Sequence, residues 1–154
     1  MKTLIRCLAV VPVFCWLAVP QAVAQLKIKP NSSPVAARQD ARKIAVKFRE
    51  RGYRITPLAN GDNKHSEVIF DLELTRGVDC VIMVGIDEVI GDVDLYLKDE
   101  VGNMLQQDTR NISRACVEFS ASYNGVYTVI VDPAKGRLLG HFAVLVGVQP
   151  GGFN

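Results

Sequence analysis

The sequence predicts an all-β fold, an antiparallel β-sandwich of about 7–8 strands preceded by one α-helix, and three observations predict it. Apolar residues between Ala37 and Phe48 recur at helical spacing. From Val68 onward they recur at every second residue, in short runs separated by Gly, Asn, Asp and Pro. No second helical stretch separates those runs, which argues against βαβ units and a parallel sheet.

Residues 1–24 read as a signal peptide. Lys2 and Arg6 make a positive start, Cys7 to Val19 is apolar apart from Pro12, and Ala22-Val23-Ala24 supplies small residues for cleavage before Gln25. The run is shorter than the ~20 apolar residues of a membrane span. Cys15 follows Phe14, not a small residue, so a lipid-anchored start is not expected. The expectation is a periplasmic or secreted bacterial protein with no membrane span after cleavage. The chain has 18 basic and 16 acidic residues; losing Lys2 and Arg6 brings the mature net charge to zero. That balance argues against nucleic acid as a partner, which usually demands a positive excess.

Residues 25–59 read as an N-terminal arm and a basic amphipathic helix. Leu26 and Ile28 alternate in the arm, as in a loose extension or an edge strand. Ser33 is the expected N-cap and Pro34 the first helical residue. Ala37, Ala41, Ile44, Ala45 and Phe48 form one apolar stripe that should stop at Gly52. Arg38, Arg42, Lys43, Lys47 and Arg49 cover the remaining circumference.

Residues 60–149 read as the sandwich. Val68, Phe70, Leu72 and Leu74 alternate with Asp71, Glu73 and Thr75, with Ile69 as the exception. Val78–Gly85 is more continuously apolar, and Val93–Leu97 alternates cleanly. A short strand near Met104–Gln107 and strands at Ala115–Phe119, Val126–Val131 and Gly140–Val148 follow, with a hairpin loop expected at Pro133–Gly136. Residues 150–154 read as a flexible tail. Charge divides as the elements do: residues 25–59 carry nine basic and two acidic groups, residues 60–154 seven and fourteen. One expectation is that the basic helix docks on the acidic sandwich so that the charges offset; the other is a basic surface for an anionic glycan, a lipid headgroup or a protein.

With these elements in order, residues 66–148 resemble the bacterial pre-peptidase C-terminal (PPC) domain family. Gly91-Asp92-Val93-Asp94-Leu95-Tyr96-Leu97, Asp99-Glu100-Val101-Gly102-Asn103 and Gly125-Val126-Tyr127 carry the likeness, with Ala115–Phe119 and Gly140–Val146 in the matching order. The resemblance implies a jelly-roll-like sandwich, a non-catalytic role beside secreted hydrolases, and, in some relatives, calcium or polymer binding. This chain has a basic helix where that family usually has an enzyme.

Asp92, Asp94 and Asp99 are the candidate calcium ligands, with backbone near Gly91 or Asp87-Glu88, because calcium takes several oxygen ligands. The alternative is that these aspartates cap turns and strand ends. Tyr96, alternating away from Leu95 and Leu97, and Tyr123 in a turn are candidate ligand-binding aromatics for sugar or protein; Tyr127, at a strand start, suits a structural corner. Cys80 and Cys116 are the thiols left in an oxidising compartment, and a disulfide between them is expected, worth about 4 kcal/mol; two buried free thiols are the alternative. His65 and His141 have no metal-ligand spacing and no nucleophile motif beside them. A paired-carboxylate hydrolase is the form of enzyme left open. The functional expectation is an exported non-catalytic binding module for a secreted or envelope protein or a polysaccharide. The alternative is an envelope interaction protein whose helix is the interface.

Overall fold

The computed structural model describes residues 33–64, 67–134 and 138–149. The expected signal peptide, N-terminal arm, His65 and flexible tail lie outside the described residues.

Helix α1 (Pro34–Glu50) forms as its sequence dictates. The Ser33 hydroxyl accepts the Ala36 N–H at 3.1 Å, satisfying one of the amides a helix start leaves open, and Pro34 follows it. Gly52, at φ 88°, ends the helix where a side chain would be strained. Eight strands follow: β1 (Arg54–Asp62), β2 (Val68–Leu74), β3 (Asp79–Ile86), β4 (Val93–Lys98), β5 (Met104–Asp108), β6 (Arg114–Ser120), β7 (Gly125–Pro133) and β8 (His141–Val148).

The strands make two four-stranded antiparallel sheets, ordered β1-β8-β3-β6 and β2-β7-β4-β5. This is jelly-roll order, in which the chain passes back and forth between facing sheets. β4 and β5 are consecutive strands that pair with each other. β7 and β8 belong to different sheets, so the hairpin expected at Pro133–Gly136 is instead a crossing between sheets. The expected boundary between residues 59 and 60 falls inside β1, so the sandwich begins at Arg54. β1 hides its period because Pro57 and Gly61 interrupt it and the register with β8 shifts between Pro57 and Ala59.

The two inner faces share one core. Ile82 and Val84 of β3 and Phe142 and Val144 of β8 meet Leu95 and Leu97 of β4 and Tyr127 and Val129 of β7. The helix forms a third layer. Its stripe, Ala37, Ala41, Ala45 and Phe48, is buried against Val81 and Met83 of β3 and Ala143 and Leu145 of β8. β3 is therefore covered on both faces, which explains its unbroken apolar sequence. Small residues set the approach: a Cβ on Gly85 would stand 2.6 Å from Ala41 Cα and 2.8 Å from the Ala37 carbonyl oxygen. The apolar stripe is thus occupied within the chain, and the helix-as-interface expectation keeps only the basic outer surface.

The disulfide expected between Cys80 and Cys116 is absent, and both are free thiols. Cys80 pairs with Phe119 across the β3/β6 register, whereas Cys116 pairs with Met83. An odd offset of three residues sends the side chains to opposite faces of the sheet. Cys80 points into the inter-sheet core and Cys116 packs toward the helix. The offset also separates them by roughly 10 Å along the strands, beyond the reach of a disulfide. Burial pushes the Cys80 thiol up to about 12 and the Cys116 thiol up to about 11.

Candidate functional site

The three candidate calcium ligands do not converge. Asp94 and Asp99 sit at opposite ends of β4, separated by roughly 17 Å of extended chain. Asp92 Oδ1 accepts the Ile112 N–H at 2.9 Å, tying the loop between β5 and β6 to the start of β4. Asp99 organises the β4–β5 turn: Oδ1 accepts the N–H of Asn103 at 2.7 Å and of Val101 at 3.1 Å, and Oδ2 accepts the Asn103 side-chain amide at 2.8 Å. Desolvation pushes its carboxyl up, but these bonds outweigh it and hold the pKa below the ordinary value. Asp94 accepts the Tyr96 hydroxyl at 3.3 Å. Among the described residues no group of three His, Cys, Asp or Glu side chains is arranged to hold a metal. The calcium expectation is therefore corrected: these aspartates brace turns and a strand face.

Asp87 and His141 are the nearest thing to a catalytic pair, with Nδ1 at 3.3 Å from Oδ2. The buried Asp87 carboxylate also accepts the N–H groups of Val89, Ile90 and His141. Its lone pairs are spent joining the β3–β4 turn to the start of β8.

The two candidate tyrosines have different fates. Tyr123 stacks on Tyr127, with ring centroids 4.7 Å apart, and its hydroxyl accepts the Glu100 N–H at 3.2 Å. Tyr127 is fully buried and its hydroxyl donates back to the Tyr123 carbonyl at 3.1 Å, the structural corner expected of it. Tyr96 lies on the outer face of the second sheet, away from the core. Its register partners are Ile130 on β7 and Gln107 on β5, and Ile130 in turn pairs with Ile69 on β2. Ile69, Ile130, Tyr96 and Gln107 therefore form one row straight across the sheet. Ile69 is 59% exposed.

Carboxylates flank that row on both sides. Asp132 and Asp94 are register partners on one side; on the other, Asp71 of β2 shares a row with Thr128 and Lys98, and Glu73 lies one row further out. Glu67 acts electrostatically on Tyr96 together with Asp94 and Asp132; burial and these charges push the phenol above its ordinary value. Lys98 is the cation at the corner, beside Thr128. Five carboxylates to one ammonium make this face acidic, and the helix packs instead on β1, β3 and β8. Like charges placed opposite each other on a sheet, as Asp94 and Asp132 are, repel and cost stability.

The basic residues of α1 lie on the other side of the molecule, over the first sheet. The expectation that the helix charges offset those of the sandwich is met only at the margins. Arg114 reaches Asp40 through Nε and Nη2, at 2.9 and 2.6 Å. Arg51 pairs with Glu118, which also accepts the Tyr53 hydroxyl at 2.8 Å. The docking surface itself is apolar, so one face of the protein is basic and the opposite face acidic. Ile69 was visible in the sequence as a break in alternation; Ile130 was hidden inside the apolar run of β7.

No family model matches the chain, and no curated protein matches it. Among solved structures it is similar to Aeromonas hydrophila PliG, a periplasmic lysozyme inhibitor of g-type lysozyme, at 12% identity over 64% of this chain and 90% of that one, with a TM-score of 0.48.

Proposed function

We propose that this chain is a non-catalytic binding module of the periplasm or cell exterior that docks a basic protein on the outer face of its second sheet. The observation that supports the reading is an apolar row, exposed Ile69 and half-buried Tyr96 on either side of buried Ile130, flanked by Glu67, Asp94 and Asp132 on one side and by Asp71 and Lys98 on the other. Ile69 and Tyr96 contribute the apolar contact area, and the surrounding carboxylates select a cationic partner and speed its encounter. The resemblance to pre-peptidase domains and the signal-like start are the sequence features that support a non-catalytic, exported role.

Capture from an envelope extract tests it, comparing the wild-type mature protein, an Ile69→Asp/Tyr96→Ala variant and an Arg42→Ala/Arg49→Ala variant. Ile69, Arg42 and Arg49 are exposed and Tyr96 is half-buried, so circular dichroism checks the fold of both variants. The expected result is a basic protein held by the wild type and the helix-side variant, released by salt, and lost from the sheet variant. Capture that survives Ile69→Asp/Tyr96→Ala, an acidic captured partner, or a neutral polysaccharide as the retained species would count against the proposal.

A further inference from the structure

A second, opposite-signed site lies on the helix side, where α1 and the loop between β5 and β6 enclose a cleft of about 460 Å³. Lys43, Lys47, Arg110 and Arg114 line it, with Ser113 and the apolar wall of Ile44. Two acids oppose these four cations. Asp40 takes Arg114 and, at 3.2 Å, the Lys43 ammonium; Asp108 takes Arg110 through Nε and Nη2, both at 2.8 Å. Lys47 has no ion-pair partner among the described residues, so the cleft keeps a surplus of positive charge.

The pairing fixes the guanidinium groups without using them up. A guanidinium carries five N–H donors in a rigid fork. Each carboxylate engages only the Nε/Nη2 edge, leaving the Nη1 donors of Arg110 and Arg114 for another acceptor. Asp108 is itself buried and accepts the Cys116 N–H at 2.9 Å, which fixes the clamp to β6. Asp92, through Ile112, fixes the loop that carries Arg110 and Ser113. Lys43 and Lys47, four residues apart, share one helix face at a cost to the isolated helix.

The geometry points to an anion site in this cleft, for a small ligand bearing phosphoryl groups. Tetrahedral oxyanions accept the outward edges of anchored guanidinium groups, and the two ammonium groups add charge without demanding fixed geometry. The volume suits a small molecule.

Titrating the mature protein with pyrophosphate at low ionic strength, followed by amide chemical shifts, tests this. Shifts should concentrate at residues 43–47 and 110–114. Lys47→Ala and Arg110→Gln should each weaken binding at least about tenfold, while Arg49→Ala, outside the cleft, should leave it unchanged. Vesicles containing phosphatidylglycerol form the second arm: binding to them that depends on Lys47, without pyrophosphate binding, assigns the same phosphoryl chemistry to a lipid headgroup. Affinity unchanged in Lys47→Ala and Arg110→Gln, shifts spread evenly along the helix, or no binding in either arm would overturn the inference. The sheet-face proposal stands or falls separately.

Discussion

Replacing Gly85 by alanine tests whether α1 is part of the fold or an appendage to it. Gly85 lies in β3 directly beneath the helix, and its backbone is ordinary; what matters is the space above it. The added carbon would stand 2.6 Å from Ala41 Cα and 2.8 Å from the Ala37 carbonyl oxygen. Carbon atoms in contact normally sit ~3.5–4.0 Å apart, so the helix must recede by about 1 Å. The Ala41 backbone nitrogen stands closer still, and all three obstacles are backbone, so no rotamer change relieves the overlap. A gap of that size forfeits about a quarter to a half of the dispersion energy along the Ala37, Ala41, Ala45 and Phe48 stripe. Overpacking of this kind costs about 1–3 kcal/mol, which for a domain of this size lowers Tm by about 4–12 °C. The assay is a thermal melt by circular dichroism, with Gly91→Ala as the control, because a Cβ there meets nothing within 4 Å. A Gly85→Ala protein that melts with the wild type would refute the close helix–sheet contact and return the helix to the status of a free interface.

Three further outcomes follow from the side-chain environments. Cys80 and Cys116 should resist a disulfide-exchange reagent near neutral pH in the native protein and react once it is unfolded, and a reductant should not move Tm; a reductant-sensitive Tm would contradict their placement on opposite faces. The Arg110 guanidinium beside Asp108 holds its carboxyl below the usual range, so the folded state gives up this proton more readily than the unfolded chain. The resulting stability is present above pH ~4 and lost as pH falls through the lowered folded value, and Asp108→Asn should flatten that acid limb of a Tm–pH curve; an unchanged limb would contradict the clamp. Adding calcium or a chelator should leave Tm unchanged, whereas Asp92→Ala should destabilise by about 1 kcal/mol through loss of the Ile112 bond, measured by urea unfolding; a calcium-dependent shift would restore the metal reading.

What the sequence made legible follows its periodicities. β4 could be read because Val93, Leu95 and Leu97 point into a core while Asp94, Tyr96 and Lys98 do not, and α1 because a single stripe had to be buried. β1 could not, since a proline, a glycine and a register shift erase its alternation. The cysteines misled because counting thiols says nothing about which side of a strand each occupies; that depends on the β3/β6 register, a non-local property. The aspartates misled for a related reason. Clustering along the chain became dispersal in space, since an extended strand carries Asp94 and Asp99 apart. Conversely, the apolar row is assembled from β2, β7 and β4, and no local window contains it. The separation of charge by sequence half was visible, but which face each half presents was set by the choice of sheet on which the helix docks.

Docking on the acidic sheet face can be read directly in the producing cells by site-specific photo-crosslinking. A photoreactive residue is placed at Ile69 or Tyr96 on the acidic sheet face, and at Val46, exposed on the helix. Sheet-face docking predicts a discrete adduct with a basic protein from positions 69 and 96 and none from position 46. Adducts from position 46 alone, or from no position, would contradict it.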